Sequence, residues 1–177
     1  MKMILIIIGV IIALVFIIPI FTKKEYDIVR DVTINKPSQQ VFDYIKHLKN
    51  QDNYSKWVMM DPNAKKGYTG TDGTVGSKMS WDSQNKNVGA GEQEITKLTD
   101  GKQMDLAIHF IRPFEGRATA YMSTEAKNAN ETKVSWAFHS KMAYPMNIML
   151  LFMNMDKMVG DDIATGLSNL KTVMEKQ

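Results

Sequence analysis

A long apolar run near the start of the chain constrains its fold more than any other feature. Residues 3–21 read MILIIIGVIIALVFIIPIF and contain no charged side chain over 19 positions. As a helix with a rise of about 1.5 Å per residue, the run is roughly 28 Å long, close to the ~30 Å thickness of a hydrocarbon core. Lys2 precedes it, and Lys23 and Lys24 follow it. The pattern predicts a single-pass membrane anchor over residues 1–24.

A secretory signal peptide is the alternative interpretation of this run. Signal peptides have an apolar region of about 7–15 residues and a small-x-small cleavage site. Here the run is longer and ends Ile-Pro-Ile-Phe-Thr, so a retained anchor is favoured. Lys23, Lys24 and Arg30 follow the run, whereas Lys2 and the α-amino group precede it, so the count of positive charges leans slightly toward a cytoplasmic domain. The margin is only one or two charges, and the side of the membrane stays open.

The basic residues in excess lie beside the apolar run. The chain has 22 basic and 19 acidic residues, and three of the basic ones are Lys2, Lys23 and Lys24, so residues 25–177 hold 19 of each sign. A domain that binds nucleic acid clusters Lys and Arg on its folded surface, so no nucleic-acid partner is predicted. The absence of cysteine excludes intrachain disulfides, zinc–thiolate sites and iron–sulfur clusters.

Residues 25–177 show a strand, short helices, a run of strands and a final helix. The β-branched segment 26–34 predicts the first strand, and Pro37 followed by apolar residues at helical spacing predicts a helix. A second short helix is predicted near Trp57. Five further strands are predicted over residues 75–81, 88–98, 104–111, 117–123 and 132–140. A long helix is predicted from Pro145 to about Met174.

The order of several motifs in this region adds a resemblance. They are Val32-Thr33-Ile34-Asn35-Lys36-Pro37, Val41-Phe42-Asp43-Tyr44-Ile45, Trp57 and Gly166-Leu167-Ser168-Asn169-Leu170-Lys171. Together they resemble the START-like (SRPBCC) superfamily, and within it the polyketide cyclase/dehydrase-like branch. The resemblance implies an α+β helix-grip domain over residues 25–177. In that fold a curved antiparallel sheet of six or seven strands wraps around the C-terminal helix, with two short helices after the first strand.

The resemblance also implies a cavity between sheet and helix that takes an apolar or amphipathic ligand. Its predicted lining consists of side chains on the inward side of the strands and on the long helix: Met79, Trp81, Leu106, Ile108, Phe110, Trp136, Phe138, Met149, Phe152, Met153 and Asp156. Seven of the 14 methionines lie between Met142 and Met174. Such flexible side chains suit a pocket for varied ligands, but they also fill gaps in ordinary cores. A buried, unpaired Asp156 would be a functional candidate.

Glu92, Glu94 and Arg117 are weaker, acid–base candidates. Two carboxylates on one strand face near an arginine would fit an enzyme, and an ordinary salt-bridged sheet shows the same pattern. His109 and His139 fall on the outward side of their strands. The spacing of the three histidines indicates no metal site, so no catalytic residue, metal or cofactor is predicted.

The sequence favours a membrane-anchored module that binds a lipid or other apolar small molecule and contacts the membrane through residues 3–21. Two other functions stay open: a cyclase/dehydrase-type enzyme that uses pocket carboxylates, and a non-catalytic module that binds an unknown protein partner, as a co-chaperone does. A pocket with an ionisable group inside it would favour the enzyme. An exposed apolar patch without a pocket would favour the interaction module.

Overall fold

Seven strands and four α-helices make up residues 2–177, the part of the chain that the computed structural model describes. The helices are α1 (Lys2–Phe21), α2 (Ser38–Ile45), α3 (Lys56–Met59) and α4 (Met155–Lys176), with 3₁₀ helices at Leu48–Asn53 and Met146–Leu151. The strands are β1 (Glu25–Ile34), β2 (Lys65–Thr69), β3 (Lys78–Asp82), β4 (Ala90–Thr99), β5 (Gln103–Arg112), β6 (Gly116–Asn128) and β7 (Glu131–Lys141). They form one antiparallel sheet in the order β1-β7-β6-β5-β4-β3-β2.

The sheet buries one face because apolar and polar residues alternate along its strands. On β5, Met104 and Leu106 are buried, while Asp105 and Ala107 are only half-buried. The buried face meets α4, which lies against β1 and β7. The predicted α+β helix-grip architecture, with two short α-helices after the first strand, is confirmed, and a 3₁₀ helix lies between these two.

The long helix begins later than predicted. The side chain of Asn154 accepts a hydrogen bond from the backbone N–H of Lys157 at 2.9 Å and caps the helix, so α4 begins at Met155. Residues 146–151 form a separate 3₁₀ helix instead. The prediction of one continuous helix from Pro145 was therefore wrong over residues 145–154.

The predicted strands recur in the structure with shifted ends, but β2 was not predicted. Its sequence, Lys-Lys-Gly-Tyr-Thr, has no alternating apolar residues, because β2 is an edge strand that pairs only with β3.

Helix α1 stands apart from the sheet. Every side chain of α1 from Lys2 to Phe21 is exposed except that of Pro19. By length and composition, α1 is the one helix in residues 2–177 that could cross a membrane. Its last turn meets the 3₁₀ helix at Met146–Leu151.

Two glycines in α4 allow the helix to lie close to the sheet. A Cβ atom on Gly166 would lie 2.9 Å from Cζ3 of Trp136 on β7. The indole of Trp136 is held by edge contacts with the rings of Tyr54 and Trp57, with centroids 6.0 and 5.8 Å away. The indole of Trp136 therefore fills the space beside Gly166.

We expect Gly166→Ala to lower the free energy of unfolding by up to about 2 kcal/mol, because overpacking against a fixed ring costs about 1–3 kcal/mol and the gain in helix propensity returns only ~1 kcal/mol. Denaturant unfolding of the full chain in detergent measures this. Ser168→Ala is the matched control, since Ser168 is exposed on the same helix, and it should leave stability unchanged or slightly higher. Equal stability of the two variants would contradict the close packing at Gly166.

Candidate ligand-binding cavity

A cavity of about 350 Å³ lies on the concave side of the sheet. Helix α4 covers β1 and β7 but not the full width of the concave face. The 3₁₀ helix at Leu48–Asn53, α3 and the neighbouring strands enclose the remaining space. The volume lies at the lower end of the roughly 300–1,000 Å³ of small-molecule sites.

Apolar and aromatic side chains form most of the cavity wall. The strands contribute Tyr26, Met79, Trp81, Leu106, Ile108, Phe110, Ala120, Trp136 and Phe138, and the helices contribute Trp57, Val58 and Val159. The rings of Trp81 and Phe110 meet edge to face with centroids 6.2 Å apart. Gly91 leaves room for the Trp81 ring, because a Cβ there would lie 2.6 Å from Cζ2. A wall of this kind favours an apolar ligand.

Two buried glutamines place a polar group within this apolar wall. Gln93 Nε2 donates a hydrogen bond to Gln51 Oε1 at 2.7 Å, and the two side chains are almost fully buried. Within residues 2–177, no hydrogen bond engages Gln51 Nε2 or Gln93 Oε1. The pair therefore offers one donor and one acceptor to a ligand with a polar group.

The charged residues around the cavity are paired with neighbours. Lys66 Nζ donates to Asp52 Oδ1 at 2.8 Å, Arg112 contacts Asp82, and Asp61 accepts a hydrogen bond from the hydroxyl of Ser83.

Tyr26 contributes a phenol to the wall. Burial raises the pKa of this phenol, an effect partly offset by its hydrogen bond with Ser140. The group therefore stays protonated at neutral pH and can donate a hydrogen bond.

Many of the predicted lining residues meet around this cavity. They are Met79, Trp81, Leu106, Ile108, Phe110, Trp136 and Phe138. Their contact with a ligand stays a prediction. Gln51 and Gln93 also line the cavity and were not predicted. The alternation along β4 could have identified Gln93, because Gln93 lies between Gly91 and Ile95 on the inward, buried side of this strand.

The structure does not bring Met149, Phe152, Met153 and Asp156 to the cavity. Because α4 begins at Met155, the first three precede it, and Phe152 is 84% exposed. Asp156 is exposed and accepts hydrogen bonds from both terminal nitrogens of Arg30 at 3.0 Å. These bonds lower the pKa of Asp156, so it is a paired carboxylate rather than a buried acid.

Glu92, Glu94 and Arg117 do not line the cavity either. Glu92 and Glu94 alternate with buried residues of β4 and so face the outer side of the sheet. Glu94 pairs with Lys78 at 3.0 Å, and Arg117 lies opposite His109 on the neighbouring strand rather than opposite the glutamates. Among residues 2–177, no group of three or more His, Asp or Glu side chains could hold a metal ion.

Solved structures with the same fold have little sequence similarity to the chain. A solution structure from Thermobifida fusca has a TM-score of 0.62 at 12% identity, covering 85% of this chain and 93% of that one. A crystal structure from Mesorhizobium loti has a TM-score of 0.62 at 10% identity, covering 86% and 98%. Major latex-like protein 151 from Panax ginseng has a TM-score of 0.60 at 11% identity, covering 86% and 99%. At these identities the likeness establishes the fold alone.

No curated protein matches the chain, but a family profile does. The profile describes polyketide cyclase / dehydrase and lipid transport proteins and matches residues 26–175. This range contains all seven strands and most of α4, though β1 begins one residue earlier. The chain therefore belongs to the polyketide cyclase/dehydrase and lipid transport family, within the START-like (SRPBCC) superfamily.

Proposed function

We propose that this protein is a membrane-anchored module that binds a lipid or other apolar small molecule between the sheet and α4. The observation that supports it most is the combination of an apolar wall with a single buried amide pair, Gln51 and Gln93. Such a site favours a ligand with an apolar body and one hydrogen-bonding group. The lipid-transport description of the family agrees with this chemistry.

The cavity volume of about 350 Å³ limits the size of that ligand. Because small-molecule sites range over about 300–1,000 Å³, the space suits one acyl chain or a small ring system. A lipid with two long chains would have to leave part of itself outside.

The proposed anchor is α1. Its apolar length suits a bilayer, and its side chains have almost no contact with the domain. Lys23 and Lys24 follow the helix where it would leave the hydrocarbon core. An anchored module of this kind would hold its ligand next to the membrane.

The enzyme alternative has less support. None of the proposed acid–base residues, Glu92, Glu94, Arg117 and Asp156, lines the cavity. The charged side chains that do line it are paired with neighbours. The protein-interaction alternative also has less support, because the presence of a cavity favours small-molecule binding.

Filling the cavity should weaken binding. Ala120→Leu adds three carbon atoms at a buried position in the wall, and we expect the affinity for a brominated fatty acid to fall by about tenfold, or ~1.4 kcal/mol. The measurement is quenching of tryptophan fluorescence in the full chain. All three tryptophans line the cavity: Trp57, Trp81 and Trp136. Brominated fatty acid that stays in the detergent micelle around α1 therefore contributes little to the quenching.

Ala107→Leu is the matched control, because it makes the same change on the outer side of the adjacent strand β5. The brominated fatty acid should quench the tryptophan fluorescence of this variant as it does in the wild-type protein. Equal affinity of the two variants, or no saturable quenching in the wild-type protein, would contradict ligand binding in this cavity.

Removing the amide pair should change which ligands bind. In Gln51→Leu/Gln93→Leu, brominated decanol should bind about tenfold more weakly, because a hydrogen bond worth about 0.5–1.5 kcal/mol is lost. Brominated decane should bind as before. The free energy of unfolding should change by less than about 1 kcal/mol, since both polar partners are replaced together.

Tryptophan quenching compares the two ligands on the same protein. An equal loss for the alcohol and the hydrocarbon would show that the glutamines only shape the cavity, and would contradict their proposed role in recognising a polar group.

A further inference from the structure

Residues 144–152, here called the junction segment, expose a set of large apolar side chains beside α1. They are Tyr144 at 46% exposure, Met146 at 48%, Met149 at 39%, Leu151 at 56% and Phe152 at 84%. An exposed apolar cluster next to an apolar helix indicates a surface that is covered in the functional state.

Hydrogen bonds fix the junction segment to α1. Asn147 is fully buried, and its Nδ2 donates to the carbonyl oxygens of Pro19 at 2.7 Å and Thr22 at 3.1 Å. Carbonyl groups at a helix C-terminus lack partners within the helix, so Asn147 satisfies them. The segment therefore has a fixed position beside the last turn of α1.

Tyr144 extends the contact with α1 further from the end of the helix. Its hydroxyl donates to the carbonyl oxygen of Phe16 at 3.1 Å. Phe16 lies about 7.5 Å along the helix from Phe21, at about 1.5 Å per residue. If α1 spans a bilayer, the Tyr144 ring lies at the membrane interface, where tyrosine is enriched.

Part of the cavity wall lies at the same end of the molecule. The strand register places the start of β1, the end of β7 and the β5–β6 hairpin at one end of the sheet, since Glu25 pairs with Lys141 and Phe110 with Gly116. Phe114 in that hairpin lines the cavity and is 77% exposed. The cavity therefore has an apolar rim on the side from which α1 emerges.

Three exposed lysines lie at this end, together with the exposed Glu25 and Glu115. Lys23 and Lys24 follow α1, and Lys141 ends β7. Backbone pairing keeps these elements together, because Met142 N donates to Lys24 O at 2.8 Å. Basic side chains beside an apolar surface complement anionic lipid headgroups.

We propose that Leu151 and Phe152 of the junction segment, together with Phe114, form a docking face that inserts into the bilayer entered by α1. The cavity then opens onto the membrane, and its ligand passes between the bilayer and the cavity without crossing water. This inference rests on the proposed anchoring and ligand-binding function. The partner of the docking face is a lipid bilayer, since the face is continuous with α1 and has lysines at its border.

The absence of native cysteine allows a direct test with single-cysteine variants of the full chain. Phe152→Cys, Phe114→Cys, Ile11→Cys and Val75→Cys are each labelled with an environment-sensitive fluorophore. They are reconstituted in vesicles of phosphatidylcholine and phosphatidylglycerol that carry nitroxide-labelled acyl chains. Ile11 reports on α1. Val75 is 58% exposed and precedes β3, whose first residue lies at the opposite end of the sheet, so it is the control for non-specific adhesion.

The proposal predicts strong quenching at positions 11, 114 and 152, with nitroxides near the headgroup quenching 114 and 152 best. Position 75 should stay unquenched. Quenching at 11 without quenching at 152 would overturn the docking face and leave the anchor intact. Quenching at 152 but not at 114 would overturn the membrane-facing mouth.

Two further outcomes also count against the proposal. Quenching at position 75 equal to that at positions 114 and 152 would mean that the domain adheres non-specifically to the vesicles. No quenching at position 11 would contradict the anchor itself and therefore the docking face with it. Ligand binding in the cavity is measured separately by tryptophan quenching, so its failure is distinguishable from each of these results.

Discussion

A single helix is too narrow to cover the concave face of a seven-stranded sheet, and the cavity follows from this mismatch. Seven strands span about 29 Å at about 4.8 Å per spacing, whereas a helix with its side chains is about 10 Å wide. Helix α4 lies against β1 and β7. The short helical segments after β1 close part of the remaining face, and a space of about 350 Å³ is left.

Helix α1 and the cavity are connected through α4 and the segment before it. Asn147 holds that segment to α1, and Asn154 then caps α4. From there α4 runs across the sheet, with Gly166 allowing contact with Trp136, one of the cavity residues. The same stretch of chain thus positions both the proposed docking face and one wall of the binding site.

Strong periodic patterns made the fold predictable from the sequence, and local capping made part of the site unpredictable. The alternation around Leu106 and Ile108 predicted an inward strand face, and both residues line the cavity. The stripe of residues at helical spacing from Phe152 to Met174 suggested one continuous helix from Pro145, but Asn154 starts α4 later. Gln51 was missed because its burial depends on contacts distant in sequence, such as that with Gln93.

The proposed function requires that the cavity holds an apolar molecule in the native protein. The most direct measurement is organic extraction and mass spectrometry of the full chain after purification, with Ala120→Leu purified in parallel. We expect a near-stoichiometric molecule with one acyl chain or a small ring system, present in the wild-type protein and depleted in Ala120→Leu. Equal amounts in both proteins would place the molecule around α1, and no such molecule in either would contradict ligand binding in the cavity.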